Sequence, residues 1–262
     1  MTYLRTSATS ADKRGFTLKV SIIITVLNSH EVVRRQLLHF ERIGIPADTE
    51  IIIVDDGSDP PIDCPWSSLP LILLQTNDKR AWTWALARNS GARIASGEYL
   101  IMVDLDHIIT RELIDGVRGM TGEQHMMFWR EFAVLDERGT FVQDSDMLIK
   151  YGLTPKRIHD RGFKLSPHRN QFAMHRDLFW KLNGYAEDRV GLPYPQREDG
   201  DFSWRWDDLQ AKEGITVAKC RPTLYMFPNG KYCGNVDHNP FGLFHNLSRK
   251  TDRNPFHRKQ GK

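Results

Sequence analysis

The stretch Glu98-Tyr99-Leu100-Ile101-Met102-Val103-Asp104-Leu105-Asp106-His107 ends an apolar run in two carboxylates one residue apart, with an imidazole behind them. The run has the length and character of a buried strand. In an extended chain alternate side chains share a face, so Asp104 and Asp106 can point the same way and His107 the other. Two oxygen donors at a strand end suit a hard divalent cation, and such a cation suits phosphate. The same acids could also simply end a strand and face water. The flanking sequence decides between these readings.

Upstream, Lys19 to Val26 is β-branched and almost continuously apolar, the pattern of a strand buried on both faces of a parallel sheet. It stops at Leu27-Asn28-Ser29, with Ser29 placed to cap a helix in which Val32, Val33, Gln36, Leu37 and Phe40 recur at helical spacing before Gly44 and Pro46. Glu50 to Val54 is a second buried strand, and Asp55-Asp56-Gly57-Ser58-Asp59-Pro60-Pro61 reads as a turn at its carboxyl end. Leu69 to Gln75 is a third apolar run. Arg80 to Ala95 reads as a helix with Trp84, Leu86, Ala87, Ala92 and Ile94 on its inner face, stopped by Gly97. Strand and helix thus alternate as far as the opening stretch, which predicts an α/β domain with a mostly parallel sheet and helices on both faces.

In such sheets ligands bind beyond the carboxyl ends of the strands. Three of the strands deliver polar residues there: Thr25 and Asn28, then Asp55 and Asp56, then Asp104 and Asp106. No Gly-x-Gly-x-x-Gly and no Gly-x-x-x-x-Gly-Lys-Ser/Thr follows any of them, which disfavours dinucleotide and P-loop sites.

The second half is less regular. Met126 to Leu135 predicts a strand, Arg138-Gly139 a hairpin turn into Thr140-Phe141-Val142, and residues 144–168 a mobile loop over a site. Gln171 to Met174 predicts a short strand and Arg176 to Asn183 a helix closed by Gly184. Glu198, Asp199 and Asp201 open an aromatic-rich helix containing Trp204 and Trp206, and short strands are expected at Ile215 to Ala218 and Thr223 to Phe227.

The chain has 262 residues, 40% of them hydrophobic and 26% charged, which is enough for one substantial core. No apolar run reaches the ~20 residues of a membrane span. Cys64, Cys220 and Cys233 are too few and too scattered for a disulfide framework. The total charge is +3, yet six Lys or Arg against one Asp put +5 on residues 249–262, so the remainder is slightly acidic. The expected organisation is a loose leader at 1–18, one domain at 19–248 divided into a ligand-binding half (19–110) and a second half (111–248), and a basic tail at 249–262. The expected location is cytoplasmic, with the tail able to touch an anionic membrane or polymer peripherally. No specific nucleic-acid motif is present.

Several of these segments together resemble family-2 glycosyltransferases with the GT-A fold. Val54-Asp55-Asp56-Gly57-Ser58 is similar to that family's nucleotide-recognition element, and Ala87-Arg88-Asn89-Ser90-Gly91-Ala92 to its Ala-Arg-Asn-x-Gly helix. Asp104-Leu105-Asp106 sits where the family keeps its Asp-x-Asp metal motif. Asn183-Gly184-Tyr185 followed by Glu198-Asp199 and Asp201-Phe202 is similar to its acceptor-side segment and Glu-Asp catalytic motif. The resemblance runs over residues 19–210 in order. Phe244-His245, with Ser248-Arg249 and Asn254-Pro255, is similar to the metal-binding His segment of β-1,4-galactosyltransferases.

The resemblance implies an inverting transfer from a nucleotide-sugar donor, a UDP-sugar in the first instance, to a hydroxyl of a glycan or other acceptor. It implies a divalent metal, Mn2+ or else Mg2+, held by Asp106 with Asp104 or His245. Asp104 would alternatively reach the ribose. Asp199 would be the general base, with Glu198 orienting sugar hydroxyls. Thr25, Asn28 and either Asp55 or Asp56 would meet the nucleoside, Arg88 the donor phosphates, and Trp204 and Trp206 an acceptor platform. His107 is expected to be structural. The first strand ends in Thr25-Val26-Leu27-Asn28 rather than the family's Pro-x-Tyr-Asn-like sequence, a departure that bears on donor-base contacts. Two rival readings are a sugar-nucleotide nucleotidyltransferase, which would want a Gly-rich loop after the first strand, and a non-catalytic carbohydrate-binding protein, which would be expected to lose Asp106 or Asp199.

Overall fold

A computed structural model describes residues 2–6, 18–65, 67–80, 82–188, 190, 197–215, 217–218 and 221–228, with residues 2–6 described by their backbone. His245 and the basic tail lie outside the described residues.

Chain order begins with β1 (Thr2–Thr6), β2 (Val20–Val26), α1 (His30–Ile43), β3 (Thr49–Asp55), β4 (Leu71–Gln75), α2 (Trp84–Ile94) and β5 (Tyr99–Asp104). Then come β6 (His107–Ile108), α3 (Arg111–Arg118), β7 (His125–Met127), β8 (Trp129–Phe132), β9 (Val134–Leu135) and β10 (Phe141–Val142). The remainder is α4 (Ser145–Lys150), α5 (Pro155–Arg161), β11 (Lys164–Leu165), β12 (Phe172–His175), α6 (Arg176–Lys181), α7 (Glu198–Glu213) and β13 (Thr223–Met226).

The main sheet has the order β1-β4-β3-β2-β5-β12-β7. β4, β3, β2 and β5 are mutually parallel, and every residue of β2 and β3 is buried, as their unbroken apolar pattern predicts. Two cores result. On one face Ile22, Ile24, Ile51 and Ile53 pack with Val33, Leu37 and Phe40 of α1 and with Leu113, Ile114 and Val117 of α3. On the other, Ile23, Ile52, Leu100 and Met102 pack with Ala85, Ala87 and Ala92 of α2, Leu178 and Phe179 of α6, and Phe202 and Trp206 of α7. Gly91 makes the α2 contact possible, because a Cβ there would come within 2.7 Å of the Ile23 side chain.

β12 reverses the direction of the sheet. It runs antiparallel to both β5 and β7, with Phe172 opposite Met102 and Met127. The amino end of β12 therefore lies at the same edge as the carboxyl end of β5. A second sheet, β11-β8-β13-β6, extends from the same region.

Four expectations need correction. The leader is not loose throughout, since Thr2–Thr6 adds an antiparallel edge strand beside β4, held through backbone pairing that needs no apolar period. Residues 144–168 contain α4 and α5, each started by a capping side chain: Asp144 accepts from the Met147 N–H, and Thr154 accepts from the Arg157 N–H with Pro155 in the first turn. The run from Met126 to Leu135 is broken into β7, β8 and β9, which belong to three different sheets. The segment Ile215 to Ala218 makes an isolated bridge between Val217 and His125 in place of a strand. The Arg138-Gly139 hairpin, joining β9 to β10, is as expected: Asp136 accepts from the Arg138 and Thr140 N–H groups, and Gly139 supplies a φ of 72°.

Candidate active site

The carboxyl edge of the parallel strands gathers the expected polar residues. Thr25 lies opposite Asp104 in the β2–β5 register, and Val26 lies opposite Asp55 in the β2–β3 register. Asn28, at φ 49°, receives the Asp59 N–H at its side-chain oxygen (2.7 Å), while its own N–H donates to Ser58 Oγ (2.8 Å), so the loops after β2 and β3 are stitched together. Asp55 and Asp56 are both buried and differ in their partners. Asp55 spends one oxygen on the Ser58 N–H and the other on the Ile62 N–H, both at 2.8 Å, which makes it the builder of its own turn. Asp56 accepts the Thr83 hydroxyl at 2.7–2.8 Å.

Asp104 is the hub of the edge. Its Oδ1 accepts from Arg88 Nη2 (2.6 Å) and Trp84 Nε1 (3.3 Å), and its Oδ2 from Gln171 Nε2 (2.6 Å). The Asp104 N–H in turn donates to Gln171 Oε1 at 2.9 Å. Burial raises the Asp104 carboxyl, but the Arg88 charge, His107 and the hydrogen bonds from Arg88 and Gln171 outweigh it and hold its pKa at about 2.

Arg88 does not face the open edge, contrary to expectation. Its guanidinium is fully buried, donating to Asp104, to the Asn170 carbonyl (2.8 Å) and to the Tyr185 hydroxyl (3.2 Å), with Trp84 stacked at 4.5 Å. Four partners inside the fold hold the guanidinium, and its Nε is left buried without one among the described residues, so Arg88 is fixed against Asp104 rather than at the open edge. A desolvated cation–aromatic stack of this kind contributes about 2 kcal/mol.

The motif around Arg88 also docks the later one. Asn89 Nδ2 donates to the Tyr185 carbonyl (2.8 Å), and the Tyr185 N–H donates to Asn89 Oδ1 (2.9 Å). Gly184 is required between them: its φ is +59°, and a Cβ would lie 2.7 Å from Asn89 Oδ1. The two sequence patterns are thus one hydrogen-bonded unit.

Asp106 and His107 complete a cluster. β5 ends at Asp104 and the chain turns through Leu105 and Asp106, so strand alternation does not apply and His107 is no bystander on the far face. One ligand atom from each of Asp104, Asp106 and His107 lies within 4.8 Å of the others. His107 Nδ1 is 2.7 Å from Asp106 Oδ1. Arg130 Nη1 approaches His107 Nε2 at 3.3 Å, which leaves Nδ1 as the ring nitrogen beside Asp106. The turn is clamped from α1, where buried Gln36 donates through Nε2 to the carbonyls on either side of Asp106, those of Leu105 (3.2 Å) and His107 (2.6 Å). The Asp106 carbonyl itself accepts the Phe227 N–H at 2.9 Å.

Glu198 and Asp199 occupy the first turn of α7, where the unpaired N–H groups and the helix dipole favour acids. Glu198 is buried and Asp199 half-buried. Asn170 Nδ2 donates to Asp199 Oδ2 at 3.3 Å, and the next residue, Gln171, holds Asp104. Asp199 and Asp104 therefore hang from two adjacent residues. Of the two expected platform residues, Trp206 is a core side chain, whereas Trp204 is 67% exposed. Asn170, Gln171, Gln36 and Arg130 do not stand out in the sequence as site residues. Their signals are weak: a polar residue opening a buried strand, and one polar member of an apolar helical stripe.

A mostly parallel sheet, acids at its carboxyl edge and a second acid pair in the first turn of α7 define an α/β domain with an acidic ligand edge. The family model for glycosyl transferase family 2 matches residues 21–181, and the chain belongs to that family. Its fold is GT-A. A mannosyltransferase from Pyrobaculum calidifontis, solved with GDP-Man and Mn2+, is similar at 17% identity and a TM-score of 0.50 over 83% of this chain and 59% of that one. TarS from S. aureus (residues 1–349) is similar at 15% identity and a TM-score of 0.48 over 80% of this chain. The chain spans 60% of that TarS fragment, for which a complex with UDP is also known. No curated protein sequence matches the chain. Among the described residues no helix is long and apolar enough to cross a membrane.

Proposed function

We propose that the chain moves a sugar from a nucleotide-sugar donor, a UDP-sugar in the first instance, to an acceptor hydroxyl with inversion. The observation that supports this best is the common anchorage of Asp104 and Asp199 on Gln171 and Asn170, which ties a donor-side acid and a candidate base to one short segment. Two carboxylates beside an imidazole are a donor set suited to Mn2+ or Mg2+. Asp106 is the principal ligand in this reading, because Asp104 already serves Arg88, Trp84 and Gln171, and His107 Nε2 is turned to Arg130. His245 remains a second proposed ligand. When bound, the cation offsets the charge that grows on the departing diphosphate.

The protein's own residues do the rest. Thr25, Asn28 and either Asp55 or Asp56 face the nucleoside, Asp55 being held by two main-chain amides and Asp56 by the Thr83 hydroxyl. Asp199, fixed by Asn170 and by its place in the first turn of α7, takes the proton of the acceptor hydroxyl as that oxygen bonds to the anomeric carbon. The bond from that carbon to the diphosphate breaks, and the nucleoside diphosphate leaves with the electron pair. Direct attack from the opposite side inverts the centre. Glu198 orients sugar hydroxyls from the same turn.

Hydrolysis of nucleotide sugars, with water as acceptor, tests this and requires no natural acceptor. Asp199→Asn is expected to lower kcat by about 100-fold or more while leaving Mn2+-dependent UDP binding within about twofold. Retention of full turnover by Asp199→Asn removes the base assignment, and absence of turnover with every nucleotide sugar removes the donor assignment.

A further inference from the structure

Beside the acid pair, α7 and the edge strand β7 enclose a pocket of about 230 Å³ whose walls include Phe202, Ser203, Trp206 and Gln210 from the helix and His125 from the strand. Asp199, Ser203, Trp206 and Gln210 are spaced i, i+4, i+7 and i+11, so the pocket lies along the same helical stripe as the proposed base. At 1.5 Å per residue it runs from about 6 Å to about 16 Å beyond Asp199. His125 is only 5% exposed, and its ring packs on Phe172 (5.5 Å) and Trp206 (4.4 Å). No hydrogen bond to a described residue engages either ring nitrogen, so a buried imidazole offers one donor and one acceptor to whatever enters. Gln210 is half-buried, and its amide likewise makes no hydrogen bond to a described residue.

The chemistry of the walls discriminates among ligands. Arg169 also lines the pocket, but its charge is met by Asp207 at 2.6 Å, and Arg221 lies over the Trp129 ring at 5.7 Å. An apolar ligand would leave the imidazole and the amide unsatisfied. A pyranose ring matches, since its C–H groups suit the apolar wall of Met127, Phe202 and Trp206 while its hydroxyls each need a donor and an acceptor. The volume suits one ring, falling below the ~300–1,000 Å³ typical of pockets for larger ligands.

We propose that this pocket binds one neutral pyranose unit of an oligosaccharide acceptor, a neighbour of the unit that carries the reacting hydroxyl. The proposal rests on the glycosyl-transfer reading above for the word acceptor, but saccharide binding at the pocket is measurable without transfer. The intact chain is applied, without donor or metal, to an array of α- and β-linked hexose di-, tri- and tetrasaccharides. Titration calorimetry then compares the wild type with Gln210→Ala and His125→Phe for the saccharides retained. Each substitution is expected to weaken binding by about tenfold or more, with Mn2+-dependent UDP binding within about twofold of wild type. Equal saccharide affinity in all three proteins overturns the proposal, as does failure of the wild type to bind any array member at millimolar concentration. Should His125→Phe not fold, Gln210→Ala decides alone. Saccharide binding that depends on this pocket, in a protein that turns over no nucleotide sugar, would instead remove glycosyl transfer and leave the subsite standing.

Discussion

Replacing Gln171 by leucine removes both ends of a two-way contact with Asp104 while nearly keeping the volume of the side chain. The amide nitrogen donates to the carboxylate at 2.6 Å and the amide oxygen accepts the Asp104 N–H at 2.9 Å, and Gln171 itself is buried. Loss of a hydrogen bond to a charged group costs about 1.5–3 kcal/mol, and a buried N–H left without a partner costs about 1–3 kcal/mol more. The Asp104 side chain retains 36% exposure, so water compensates part of the first contribution and the expected total is about 3 kcal/mol. For a domain of this size that lowers Tm by about 6–12 °C. Gln171→Glu separates chemistry from packing. At neutral pH it sets two carboxylates against each other, whereas in acid the introduced carboxyl, once protonated, can again donate to Asp104, so the deficit should shrink as pH falls. Calorimetric melting of both variants across pH 4–8 reads this directly. A leucine variant melting within about 2 °C of wild type would refute the assignment of Asp104 to a hydrogen-bonded hub.

Two further outcomes follow from the same geometry. Burial, helped by the Arg221 charge, pushes the His125 pKa from 6.5 down to about 3, so the folded protein keeps the ring neutral where the unfolded chain binds a proton. Stability is therefore complete above about pH 6.5 and falls as pH drops toward 3, by about 2 kcal/mol at pH 5; denaturant titrations should show this slope, His125→Phe should flatten it, and an unchanged slope in that variant removes the cause. Gln36→Leu unclamps the carbonyls flanking Asp106 and should raise the Mn2+ dissociation constant by about tenfold or more, read from the electron paramagnetic resonance signal of free Mn2+; equal affinity would show that the turn holds its shape without Gln36.

The fold is legible wherever burial writes itself into an unbroken apolar run. β2, β3 and β5 are buried on both faces and need no partner to be recognised, and the acids at their ends fall at one edge by topology alone. Glu198 and Asp199 are legible for a related reason, since acids before an aromatic-rich run mark a helix start. What stays hidden depends on partners distant in sequence. β12 joins the sheet antiparallel between β5 and β7, a pairing without local signature, so the importance of Asn170 and Gln171 appears only once Met102 and Phe172 are seen to be neighbours. Arg88 reads as a ligand-facing cation because nothing local announces Tyr185, 97 residues away. Alternation misplaces His107 because the strand ends before it, and the turn through Leu105 and Asp106 resets which way its ring points.

The reversed strand has a consequence for how such a domain can be altered. Because β12 enters the sheet backwards, the acids of the two halves are set by neighbouring positions of one short stretch, and neither can be retuned alone. Exchanging the second half for that of a relative, with the boundary anywhere between β5 and β12, would carry Asn170 and Gln171 away from the Asp104 and Arg88 they fit. A cut after β12 keeps those contacts but parts Asn170 from Asp199 and Asn89 from Tyr185, so no boundary between β5 and α7 leaves the linkage whole. The same linkage makes residues 170 and 171 poor choices for library randomisation aimed at either substrate singly.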